Sequence, residues 1–183
     1  MKATRILVIS VCILTLTLIL CTNNSRKTHS TPKHVTVEPM NESVFWDIIS
    51  NFDWKTKDER LIMQPAVDIL SKFSIEDIYK FDDILSEKLY LLDGSKFGPI
   101  NSSQYFSSDM FLYRRCFVVA SGKDYFNSVL SNPRDISSKE TETFEGFLFL
   151  PATAFSKKIS SDKYNHKTKY SYETGSNTNA WTQ

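Results

Sequence analysis

The side chains best able to do chemistry in this chain are few. Three cysteines stand at 12, 21 and 116, three histidines at 29, 34 and 166, and a group of carboxylates and arginines lies in the middle of the sequence. Asp82, Asp109 and Arg115 form the candidate polar cluster, with Asp83 beside it. Gathered in one cleft, such groups would supply an acid, a base and a cation over a developing anion, the equipment of a carboxylate-dependent or metal-assisted hydrolase. Each also has a plainer account. Asp109 near a helix N-terminus offsets the helix dipole, and an arginine on an apolar helix usually sits in a structural ion pair. Arg114 and Arg115, adjacent on a helix, point about 100° apart and do not make one clamp. Two histidines fall in a polar N-terminal stretch and one in a polar C-terminal tail, so the central domain offers no imidazole for a triad, a metal site or a proton shuttle. The reading therefore assigns no catalytic residue, no metal and no cofactor.

Fingerprints for nucleotides are missing. Glycine occurs only at 94, 98, 122, 146 and 175, which excludes G-x-G-x-x-G, and Gly122-Lys123-Asp124 lacks the upstream glycine and the hydroxyl of a P-loop. A net charge of +1 provides no broad field for nucleic acid.

Lys2 and Arg5 precede an apolar run from Ile6 to Leu20, the charged and hydrophobic regions of an export signal. The run is shorter than the roughly 20 residues that span a bilayer core. Leu18-Ile19-Leu20-Cys21 followed by Thr22-Asn23-Asn24-Ser25 resembles a bacterial lipoprotein signal, with Leu20 where a small residue is usual. Cys21 is thus the expected lipidation site, an uncleaved signal anchor and ordinary secretion being the alternatives. The expectation is a protein exported to the cell envelope and tethered to a membrane by lipid. Cys116, within Cys116-Phe117-Val118-Val119, reads as a buried inert thiol, and no intrachain disulfide is available to the mature body.

Residues 1–20 are read as the signal peptide, 21–40 as a flexible tether, 41–158 as the folded domain and 159–183 as a disordered tail whose Ser/Thr/Asn/Lys/Tyr mixture has no sustained period. In that tail Tyr164, Tyr170, Tyr172 and Trp181 could make a short docking motif, set against a frayed terminus. The domain's period is helical. Asn41 caps a helix with Phe45, Ile48, Ile49 and Phe52 on one face. Thr56-Lys57-Asp58-Glu59 is a capping box before Ile62, Ala66, Ile69 and Leu70, with Pro65 expected to kink or restart that helix. Ser74 opens a third helix with Ile78, Phe81, Leu85 and Leu89 inward. A fourth element from Asp109 to Ser121 suits helix or strand. Tyr125 to Leu130 marks a fifth helix, and Ser137-Ser138-Lys139-Glu140 a capping box before a last one that Pro151 should bend. The fold class is all-α: a compact orthogonal helical domain of about five to six helices.

The pattern Phe45-Trp46, Ser74-Ile75-Glu76-Asp77-Ile78, Phe81-Asp82, Ser107-Ser108-Asp109-Met110-Phe111, Tyr113, Arg115 and Gly122 resembles the bacterial domain-of-unknown-function family 4240. Phe126, Leu130, Asn132-Pro133 and Phe144-Glu145-Gly146-Phe147 continue it, from about 41 to 158. Ser108 and Met110 replace an acidic residue and a glycine of the family, and Gly94 to Phe106 lacks its usual aromatic and small-residue helix. The resemblance implies a small helical domain, makes the fourth element a helix, carries over Asp82, Asp109 and Arg115 as matching polar positions, and brings no assigned activity. Trp46 and Trp54 are the candidate partner-binding residues. The domain holds 14 basic against 18 acidic residues, net −4, which suits a basic or neutral protein partner in the cell envelope better than nucleic acid. The function expected is a membrane-tethered, non-enzymatic protein-binding module, with the hydrolase as the alternative.

Overall fold

The computed structural model describes residues 38–98, 107–139 and 142–182. The expected signal, Cys21 and most of the tether lie outside them. The described residues are all-α, with no strand among them. Helix α1 spans Glu42–Ile49, α2 Glu59–Leu70, α3 Ile75–Leu91, α4 Ser108–Ala120, α5 Lys123–Ser131 and α6 Leu150–Ile159, and a single turn, α7, spans Thr178–Trp181.

Local capping chemistry sets most helix starts. Asn41 Oδ1 accepts from Val44 N at 3.1 Å, Ser74 Oγ from Asp77 N at 3.0 Å, and Ser107 Oγ from Met110 N at 3.3 Å, each satisfying a first-turn donor that has no partner within the helix. At α2 the cap is Asp58, which accepts from Arg60 N, while Thr56 Oγ1 accepts from Asp58 N one step earlier. The fourth element is a helix. Gly122, at φ 99, joins α4 to α5 in a conformation that a side chain would strain.

The structure narrows one expectation about proline and corrects another. Helix α2 continues from Glu59 to Leu70 through Pro65 without a restart. The last helix begins at Leu150, not after Ser137, so Pro151 sits in its first turn, where a missing N–H costs nothing and no bend follows. The stretch before it forms 3₁₀ turns at Pro133–Lys139 and Glu145–Phe149.

Helix α3 packs against α4 and α6, α2 against α6, and α1 across α2 and α3. Phe45, Ile49, Leu70, Ile78, Phe81, Leu85, Leu89, Phe144 and Phe147 fill the center. Cys116 is fully buried in this core, and burial pushes its thiol far above the ordinary value.

The C-terminal expectation fails. Residues 160–182 are a docked strap that crosses α3 and α4, with Tyr164, Tyr172 and Trp181 packed on the core. Composition misled because the strap's ordering is met less by its own apolar surface than by charged groups that the domain holds ready for it.

Candidate functional site

Helix α3 places Asp82 and Asp83 side by side on the face that the strap covers. Asp82 is only 7% exposed, and the Tyr164 hydroxyl donates to its Oδ2 at 2.7 Å. Burial raises the Asp82 carboxyl above its usual range, outweighing the Tyr164 hydrogen bond and the nearby His166. Asp83 Oδ1 accepts from Lys169 N at 2.9 Å and lies 3.0 Å from His166 Nε2. The imidazole stacks on Tyr79 with ring centers 4.5 Å apart and planes 7° apart. The tail therefore returns an imidazole to the domain, which the sequence reading had denied it.

Asp109, in the first turn of α4, is exposed at the mouth of the same depression. The cleft measures about 800 Å³. Asp82 lies at its inner end, Asp109 and Glu145 line it from the domain, Leu148 and Phe149 supply apolar wall, and Tyr164 to Glu173 of the strap close one side. The Tyr113 hydroxyl donates to Glu145 Oε1 at 3.0 Å across the rim.

Arg115 does not join them. It is fully buried behind the strap, where Nη1 donates to Leu89 O at 2.9 Å and Nη2 to Tyr172 O at 2.9 Å and Thr174 Oγ1 at 3.0 Å. The expected Asp82/Asp109/Arg115 cluster thus resolves into two carboxylates in a cleft and a guanidinium that holds polypeptide. Its helical position explains this: Arg115 lies on the buried stripe with Phe111, Leu112 and Val118, and a guanidinium brought there must find carbonyls.

The residue that sequence reasoning missed is Asp93, just beyond the end of α3. It is fully buried, and Oδ1 accepts from Gly175 N at 3.0 Å and Trp181 Nε1 at 2.8 Å. Its Oδ2 accepts from Asn177 N at 2.9 Å and Ser176 Oγ at 3.2 Å. Burial alone would raise this carboxyl; the N–H donors of Asn177 and Gly175, the Trp181 indole and the Arg115 charge overcome it and hold the group below its usual range. An acidic residue followed by glycine at a helix end, paired with a lone tryptophan in a polar tail, was the available signal.

Trp46 is corrected as a partner-binding residue. It is 6% exposed, packs edge-on to Phe45, and its Nε1 donates to Glu42 Oε1 at 3.2 Å. Trp54 is 47% exposed and rests edge-on against Phe52 and Phe117. Among the described residues no three His, Cys, Asp or Glu side chains are arranged to hold a metal ion.

A family model described as a protein of unknown function (DUF4240) matches residues 40–157, well over half of the chain. The chain belongs to the DUF4240 family. No curated protein and no solved structure matches it. The matched region contains Asp82, Asp83, Asp93, Asp109 and Arg115, whereas the strap lies wholly beyond it. In this DUF4240 chain the groups that grip lie within the matched region, and what they grip lies beyond it.

Proposed function

We propose that this protein is a membrane-tethered, non-enzymatic protein-binding module, held in the cell envelope through Cys21, whose cleft receives a basic segment of a partner protein. The observation that supports this is the cleft's charge and shape. Asp82, Asp109, Glu145 and Glu173 line a depression with Leu148 and Phe149 in its wall, four carboxylates against the two ammonium groups of Lys167 and Lys169 on the strap side. Alkyl stems of lysine or arginine cover apolar wall while their heads meet carboxylates. The net charge of −4 on residues 41–158 adds a field of the same sign. Arg115 and Asp93 are already committed to the strap, so a basic segment would meet Asp109, Glu145 and Glu173 on the side of the cleft away from Lys167 and Lys169.

Fluorescence anisotropy with the full chain and labelled lysine-rich or glutamate-rich peptides of equal length tests this. The basic peptide is expected to bind, more weakly at high salt. The double substitution Asp109→Asn/Glu145→Gln is expected to lower its affinity roughly tenfold, since exposed charge pairs contribute about 0.5–1 kcal/mol each. Equal binding of both peptides, or no response to the double substitution, defeats the reading.

A second reading, the carboxylate-dependent hydrolase, draws on one observation: Asp82, raised by burial, shares a cleft with Asp109. A carboxyl raised above its ordinary range by burial is the kind of group that serves as a general acid. Turnover of an aryl glycoside or aryl phosphate that Asp82→Asn abolishes, with basic-peptide binding intact, would favor it.

A further inference from the structure

We infer that the C-terminal strap exchanges between two copies of this chain, each strap filling the groove of the other, so that each cleft is walled by residues of both subunits. The inference rests on how the strap is attached and is independent of the basic-segment reading of the cleft.

The strap is clipped on by side chains. Among the described residues no main-chain to main-chain hydrogen bond joins residues 160–182 to the domain; outside helix α7, those the strap makes, Ser176 N to Glu173 O and Ala180 N to Asn177 O, are internal to it. Its anchors are Asp82, Asp83, Asp93 and Arg115, the Ser95 hydroxyl, which donates to Ala180 O, and the carbonyls of Tyr90 and Ser108, which accept from Asn177 Nδ2 and Thr174 Oγ1. Such a segment detaches and re-engages as a unit without breaking a helix or a sheet.

The groove is also selective, and this fixes the occupant. Gly175 takes φ 89 while its N–H meets Asp93, so that position calls for glycine. Ala180 lies so close to Gly94 that a β-carbon on residue 94 would come within 2.8 Å of the Ala180 methyl, so the facing pair is confined to small residues. Trp181 must then deliver its indole N–H to Asp93 Oδ1. An arbitrary extended segment fails these conditions, whereas a strap of this sequence meets all of them, from its own chain as in the structure or equally from a second copy.

The connection favors opening. Ser160, which ends α6, is the one non-glycine with positive φ among the described residues, at φ 54 and ψ 41. Asp162 and Lys163, next along the chain, are exposed. Extending this corner into the path toward a second copy relieves the left-handed turn and preserves every strap contact, the condition under which swapping is inexpensive. Tyr164 and His166 of one copy would then wall the cleft of the other.

Two full-chain experiments decide it, both read by mass and protection without any basic peptide. In the first, Asp93→Ala, with a damaged groove, is mixed with Gly175→Val/Trp181→Ala, with a damaged strap. Each alone is expected to expose residues 172–181 to protease at least about tenfold faster than wild type, because cleavage follows the open population. The mixture is expected to form a 1:1 heterodimer by native mass spectrometry, with the intact strap of the first copy protected in the intact groove of the second. Two monomers cleaved as fast as each alone overturn the inference. In the second, deletion of Ser161 and Asp162 leaves every anchor in place but shortens the corner, and a dimer with protected straps is expected by sedimentation. A monomer with its strap protected overturns the inference even if the first pair folds poorly.

Discussion

Asp93→Ala is expected to free residues 172–182 while leaving α1 to α6 folded. It removes the acceptor for two main-chain N–H groups, a hydroxyl and an indole at once. It also strands Arg115, whose burial is offset in part by the Asp93 charge. Breaking a buried charge arrangement from one side costs about 3–5 kcal/mol. Because the released strap can hydrate, we expect the lower end, about 3 kcal/mol, or roughly 10 °C in Tm for a domain of this size. Hydrogen exchange should show the loss at Gly175 and Asn177 before any change at Leu85 or Leu89. Unchanged protection at Gly175 and Asn177 would refute the assignment.

Acid should imitate this substitution. Asp93 is held below the usual carboxylate value when folded, so the stability it contributes is fully present above its unfolded pKa of about 3.9 and is lost as the pH falls through the lower folded value. Asp82 has the opposite sign. Its folded pKa is raised, so its contribution is most favorable below the unfolded value and declines as pH rises through the folded one. On acidification the Trp181 end of the strap should therefore loosen while the Tyr164 end holds, a divergence that residue-level exchange resolves.

Arg115→Ala should be the most damaging substitution in α4. It creates a cavity in place of a fully buried side chain and withdraws the donors that reach Leu89 O, Tyr172 O and Thr174 Oγ1. It also takes a cation from beside Asp93. The expected cost is about 3–5 kcal/mol in denaturant unfolding. Arg115→Lys should recover less than half of it, because one ammonium cannot span two elements with the geometry of a guanidinium fork. Wild-type stability in Arg115→Lys would show that charge alone matters there and that the fork does not.

Helices α1, α2, α3 and α5 were legible because their signals are local, whereas the Phe, Tyr and Val content of α4 suits helix or strand and only the family resemblance pointed to a helix. Asn41 and Ser74 are small polar residues directly ahead of an apolar stripe, and each caps the helix it announced. Where the signal depended on counting offsets the reading slipped, taking Thr56 for Asp58 and Ser137 for a helix start 13 residues away. The site was half legible. Asp82 and Asp109 do share a cleft, but Arg115 serves a segment 57 residues further along. No periodicity encodes that relation, since the strap's partners come from α3, α4, α6 and the residues Asp93 and Ser95 just beyond α3. Judged by its own apolar content, the tail could not order itself; judged with Asp93 and Arg115, it can.

The buried sulfur of Cys116 gives the domain an internal clock. With its thiol sealed in the core and held in the protonated form, it is closed to alkylating reagents in the native state. Strap release should leave it closed, because Cys116 is packed among the helices and the strap merely overlies them. Iodoacetamide capture at this position, mapped by peptide mass, would count only excursions that open the helical core, and so would separate detachment of the strap from collapse of the module beneath it.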